Sequence, residues 1–147
     1  MKDLIFRNKD DYDGAEPSGN SVAVLALLKL GKITDRKAFT EAAEKSLRLF
    51  SSRLQELPQA VSGMLQGLSF SLEEPRRAVI TSASEKGLIH AVHSVYQPHK
   101  VVLGITGPVE EFAKTLPAKE GRVVYLCTGT ACRPPTGDVT KIKEIMR

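Results

Sequence analysis

The chain contains no tryptophan, few aromatic residues of any kind (5%) and only two cysteines among its 147 residues. Without interleaved aromatics and basic runs it lacks the stacking platforms and phosphate-tracking grooves of nucleic-acid binders. The net charge of +4 does not change this, because it is spread. Residues 1–72 hold ten Lys/Arg against nine Asp/Glu, and residues 73–147 hold eleven against eight. No nucleic-acid partner is expected. The longest apolar run, Val22 to Leu28, has seven residues, far below the roughly 18 that a membrane-spanning helix needs. The opening residues, Met1 to Arg7, have neither the apolar region nor the small-residue cleavage site of a secretory signal. A cytoplasmic protein with no membrane partner is the expectation. Two cysteines also fall short of the four thiolates of an iron–sulfur cluster, and no cofactor is expected.

What is present is globular: 41% hydrophobic and 26% charged residues. The pattern divides near Glu73-Glu74-Pro75. Residues 1–74 read as an acidic loop followed by three helices. The first, Ser18 to Leu30, has apolar side chains on nearly every face and should be buried on most sides. Pro17 suits its first turn and Gly31 its end. Asp35 is placed to cap a second helix to about Leu54, with Phe39, Ala43, Leu47, Phe50 and Leu54 as its stripe. Pro58 opens a third, to about Leu72, through Val61, Met64, Leu65 and Leu68. Gly63 and Gly67 each cost about 1 kcal/mol there relative to alanine, which close helix packing or a pocket floor would explain.

Residues 75–147 alternate short apolar strands with helices. The strands are Ala78–Thr81, Val101–Ile105 and Val123–Cys127. Ser82 and Glu85 form a capping box for a helix through Tyr96. Gly107-Pro108 starts a short helix to about Leu116, and Asp138 or Thr140 caps a terminal one striped by Val139, Ile142, Ile145 and Met146. Helix-separated strands predict parallel pairing through right-handed crossovers. The fold class is therefore mixed α/β: three helices, then a three-stranded parallel βαβαβα unit.

Four groups could carry chemistry. Asp10, Asp11, Asp13 and Glu16 put four carboxylates in seven residues before the first helix. Acidic residues there can satisfy the helix dipole and its orphan N–H groups, or act as an acid/base pair. Cys127 and Cys132, with four residues between them, lack the Cys-x-x-Cys spacing of a dithiol oxidoreductase. Two buried structural thiols are expected, a loop disulfide being geometrically open. His90 and His93 have a metal-chelating spacing but no third ligand, and both fall opposite the apolar face of their helix, so they read as solvated. Gly104-Ile-Thr-Gly107-Pro is a strand-to-helix turn that could take an anion, without a full phosphate-loop pattern.

The segment Asp11-Tyr12-Asp13-Gly14-Ala15-Glu16-Pro17-Ser18-Gly19-Asn20-Ser21 is distinctive. With the Leu-rich helix after it, and Tyr125-Leu126-Cys127 through Cys132-Arg133-Pro134-Pro135, it resembles the spermatogenesis-associated, thioredoxin-domain-containing proteins and their bacterial relatives. The resemblance implies an amino-terminal thioredoxin-like domain, then an (α/α)6 barrel of the six-hairpin class shared with N-acylglucosamine 2-epimerases and many glycosidases, then a small tail. It covers nearly all of this chain but only the end of such a protein. The three helices would then belong to an incomplete (α/α)6 barrel. The chain would be a non-catalytic C-terminal fragment, with Asp13, Glu16, Ser18 and Asn20 lining one sector of a carbohydrate-type pocket. Asp13 and Glu16 are the best catalytic candidates, and a sugar epimerase-like or glycosidase-like reaction would belong to the intact protein. The expected partners are upstream domains of the same protein or a second copy of the chain, with a sugar ligand in the intact protein. An interaction module, docking through the α/β unit, is the alternative. A thiol redox accessory using Cys127 and Cys132 is the third reading.

Overall fold

A computed structural model describes residues 10, 12–82, 86–117 and 122–147. Its helices are α1 (Gly19–Thr34), α2 (Lys37–Leu49), α3 (Ser51–Glu56), α4 (Ser62–Leu72), α5 (Lys86–His93), α6 (Glu111–Thr115) and α7 (Val139–Met146). Its strands are β1 (Arg76–Ile80), β2 (Lys100–Gly104), β3 (Val124–Thr128) and β4 (Ala131–Cys132), in sheet order β2-β1-β3-β4.

Ser18 caps α1 through its side chain, which accepts from the Ser21 N–H, so Pro17 lies just before the helix. Gly31 does not end it. The helix runs on to Thr34, and a Cβ at Gly31 would lie 2.4 Å from Thr40 Oγ1 on α2. That glycine lets two helices approach, and the stop comes from Asp35, whose left-handed backbone (φ 55°) turns its N–H back to the Gly31 carbonyl. Asp35 therefore closes α1 instead of capping α2, which begins after Arg36 without a side-chain cap. The expected second helix breaks at Phe50, where φ −97° and ψ 13° leave helical values. Phe50 and Leu54 still pack on the same core, so the stripe survives the break. Pro58 opens a 3₁₀ turn, Pro58–Val61, that leads into α4. Gly67 serves close packing too, since a Cβ there would lie 2.6 Å from Val24 Cγ1.

The expected parallel sheet is corrected to a mixed one. β1 and β2 are parallel, but β3 runs antiparallel to β1, with Ile80 opposite Val124 and Arg77 opposite Cys127. The reason lies in α6. Five residues rise only about 7.5 Å, less than half the length of a five-residue strand, so this helix does not carry the chain back along the sheet. The chain leaves β2 at Gly104, opposite Ile80, and enters β3 at the same end of β1, where the Thr81 N–H donates to the Val123 carbonyl.

Alternation along the strands sends side chains to two cores. Val79, Val101, Leu103, Tyr125 and Cys127 face α1, α2 and α4, and join Val24, Leu28, Met64 and Phe70. Ala78, Ile80, Val124 and Leu126 face α5 and α7. The sheet is thus covered on both faces, in three layers. Asp138 caps α7 by accepting from the Thr140 and Lys141 N–H groups. The Ser82–Glu85 capping box falls partly outside the described residues. The helix it was to start, α5, ends at His93, short of Tyr96, which is 90% exposed.

The surface of α1 departs furthest from expectation. Only Ser21, Val24, Leu28 and Gly31 are buried, while Val22 stays 56% exposed. Two neighbouring helices and one sheet leave a side of this apolar helix uncovered.

Candidate functional site

The acidic loop is built around Asp13. Its Oδ1 accepts the Ser18 N–H at 2.7 Å, and its Oδ2 accepts the Gly63 N–H at 2.7 Å and the Ser21 hydroxyl at 3.1 Å. Its own N–H donates to the Ala60 carbonyl at 2.7 Å. One carboxylate thereby ties the start of α1 to the start of α4, where orphan N–H groups and helix dipoles favour a negative charge. Burial works against its ionisation. The bonds from the Ser18 N–H, the Ser21 hydroxyl and the Gly63 N–H outweigh that and hold the carboxyl below its ordinary value of 3.8.

Ser18 is buried as the α1 cap, its hydroxyl 3.0 Å from that of Ser21. Asn20 is half-buried and donates through Nδ2 to the Asp10 carbonyl at 2.7 Å. Glu16 is exposed. Pro17 and Gly63, at this corner, begin a shallow groove of about 260 Å³ that continues along Val22, Leu25 and Ala26. Asp13, Ser18 and Asn20 are thus spent on local hydrogen bonds, whereas Glu16 is exposed.

Cys127 and Cys132 are bonded to each other, which corrects the expectation of two thiols. The reason is register. The string around them is a β-hairpin, not a loop beyond the third strand, and β4 pairs Cys132 directly opposite Cys127. Gly129, at φ 55°, takes the first position of the two-residue turn, where a positive φ suits the twist of a hairpin. Cys127 is fully buried. His90 and His93 are exposed, and among the described residues no three His, Cys, Asp or Glu side chains gather as metal ligands.

A larger cleft, about 840 Å³, opens between the α1–α4 pair and the sheet edge at β2. Its walls include Leu25, Ile33, Leu65 and Val101, with Lys29, Ser69, His99 and Lys100 among the polar groups. Ser69 Oγ is 2.9 Å from His99 Nε2, and His99 Nδ1 is 2.8 Å from Glu73 Oε2. Glu73 is the C-cap of α4, one turn beyond Ser69, so the helix brings both to one side. His99 precedes β2, and its carbonyl accepts the Arg76 N–H at 2.9 Å, which fixes the backbone against β1. The His99 ring stands at 66° to that of Phe70, with centroids 6.1 Å apart. Lys100 is committed elsewhere, its Nζ donating to the Val92 and Val95 carbonyls at 2.8 and 2.7 Å around the C-terminal end of α5. Burial lowers its pKa, and the charge of Lys29 lowers it further.

Sequence reasoning missed this hydrogen-bonded trio. Its only trace is the four-residue spacing of Ser69 and Glu73, and nothing in the string ties His99 to them.

Comparison with known proteins places the whole chain. Spermatogenesis-associated protein 20 of Homo sapiens is 32% identical over 97% of it, and that of Rattus norvegicus 32% over 98%. The chain is homologous to part of spermatogenesis-associated protein 20. It spans about a fifth of the length of those relatives, 20% in each. An uncharacterised protein of Caenorhabditis elegans is 26% identical over 98% of the chain. No family model and no solved structure matches. No helix of the described residues is long and apolar enough to cross a membrane.

Proposed function

We propose that this chain works as the C-terminal portion of a larger, cytoplasmic, six-hairpin-type protein, docking onto the remainder through the open face of α1 and α4. The observation that carries the reading is the uncovered side of α1. Val22, Ala26 and Leu30 are exposed there, beside the groove along Pro17 and Gly63. Exposed apolar surface of this kind marks an interface, and relatives about five times longer supply a chain to cover it. Co-expression with the upstream part of the longer protein tests it. The two pieces should co-purify, and Val22→Glu should release the chain. Failure of the unmodified pieces to associate would remove the docking reading.

A second reading gives the acidic loop a sector of a carbohydrate-type pocket in the intact protein. Glu16 supports it, an exposed carboxylate next to Pro17 at the end of that groove. Sugar-epimerase and glycosidase assays on the intact protein decide it. A positioned acid or base contributes about 10²–10⁴ in rate, so Glu16→Gln should lose turnover without loss of folding. Full activity in that variant would leave the loop with its structural role alone.

A further inference from the structure

We propose that Ser69, His99 and Glu73 form a serine-nucleophile site for acyl esters in the cleft between α4 and β2. Nothing in the docking or sugar readings uses these residues, and the site is local to this chain. A serine hydroxyl is a poor nucleophile until a base takes its proton, and the base must be held in the right tautomer by a third group. Here Ser69 Oγ lies 2.9 Å from His99 Nε2, and Glu73 Oε2 lies 2.8 Å from His99 Nδ1. A carboxylate at Nδ1 keeps the proton on that nitrogen, so Nε2 is left to accept from the serine. The order nucleophile, base, orienter is complete. Ser69 is exposed to the cleft while the His99 side chain is only 16% exposed, so the reacting oxygen is reachable and its base is held.

The walls define the substrate class. Leu25, Ile33, Leu65 and Val101 offer an apolar surface for a short acyl chain, and Lys29, whose Nζ lies 5.9 Å from the Phe70 ring centroid, lines the same cleft. Lys29 is the cation suited to the developing oxyanion, since Lys100 is held by carbonyl oxygens. No backbone N–H at Ser69 serves that purpose, because the residue lies within α4. The reaction is ester hydrolysis. Ser69 Oγ bonds to the acyl carbon as its proton passes to His99 Nε2. The C–O bond to the alcohol breaks, and the alcohol leaves with that proton. Water then adds to the acyl carbon, giving its proton to His99; the bond from Ser69 Oγ to the acyl carbon breaks, His99 returns the proton to Ser69 Oγ, and the acid departs.

The test uses the 147-residue chain with p-nitrophenyl butyrate as substrate and a fluorophosphonate probe, mapped by mass spectrometry. The expected result is a label on Ser69 of the native chain that is absent after denaturation. Ser69→Ala and His99→Gln should each cost about 10²–10⁴ in hydrolysis. Glu73→Gln should lower the rate and shift its pH profile, which loss of a merely structural contact would not do. Thermal melts of all three variants should overlay that of the parent, so a lost rate is not lost folding. Absence of label on Ser69 in the folded chain, or hydrolysis unchanged in Ser69→Ala, overturns the proposal. Sugar turnover by the intact protein leaves both of these readouts unaffected, so the two readings fail separately.

Discussion

Asp13 ties two helix starts together, and its charge is the reason. Its folded pKa lies below 3.8, so the folded state holds this carboxylate ionised where the unfolded chain has begun to bind a proton. The stabilisation is complete well above that value and is lost as pH falls through the folded pKa. Asp13→Asn keeps one acceptor oxygen but points an amide N–H at a donor, Gly63 or Ser18. A loss of about 1–2 kcal/mol at neutral pH is expected, in the range of altered caps. Denaturant melts from pH 6 down to pH 2 should show a smaller acid loss in the variant than in the parent. Equal acid slopes would mean that the charge does not matter. This corner was half legible. Four carboxylates before an apolar helix announced a cap, but the bond to Gly63, fifty residues away, could come only from the packing of α1 against α4.

At the scale of elements, two joins hold the α/β part. Arg77 on β1 forms an ion pair with Glu110 at the start of α6, and both side chains are largely buried. The Arg77 guanidinium also lies 5.5 Å from the Phe112 ring centroid. Removing one partner of a buried pair leaves an uncompensated charge, which costs about 3–5 kcal/mol. Glu110→Gln should therefore lower the melting temperature sharply, and Arg77→Met with Glu110→Leu should recover much of it. The second join is the Cys127–Cys132 disulfide. It closes a short loop, so its entropic contribution is about 2 kcal/mol. Denatured without reductant, the chain should expose no thiol to a thiol reagent, and two after reduction. Free thiols in the unreduced chain would contradict the bonded hairpin. The ion pair was not readable beforehand, and the disulfide only as an open possibility. The strand order puts Arg77 near Glu110, and the strand register puts one cysteine opposite the other.

The whole molecule has an unfinished side. Val22, Leu30, Leu49 and Leu72 are all more than 40% exposed, and α1 carries an apolar strip that no described element covers. The chain by itself should therefore self-associate. Light scattering after size exclusion at tens of micromolar should give at least a dimer, and Val22→Glu should shift it toward monomer. A monomer at that concentration would mean the strip is too small to drive association. The sheet gives the contrast, because helices or loops cover it on both faces.

Composition and periodicity by themselves determined that this is a mixed α/β chain. They located the change from helix to strand after Leu72, the three main strands and a cap at Asp138 or Thr140, of which Asp138 is the one formed, because each depends on local alternation or on a side chain reaching its own backbone. Tertiary structure alone decided the direction of β3, the work of Gly31 and Gly67, the closure of the disulfide and the meeting of Ser69 with His99. Those depend on which distant segments come within a few ångströms of each other. β3 enters the sheet at the end where β2 left it, and that depends on the path of the connection, which neither pattern nor propensity reports.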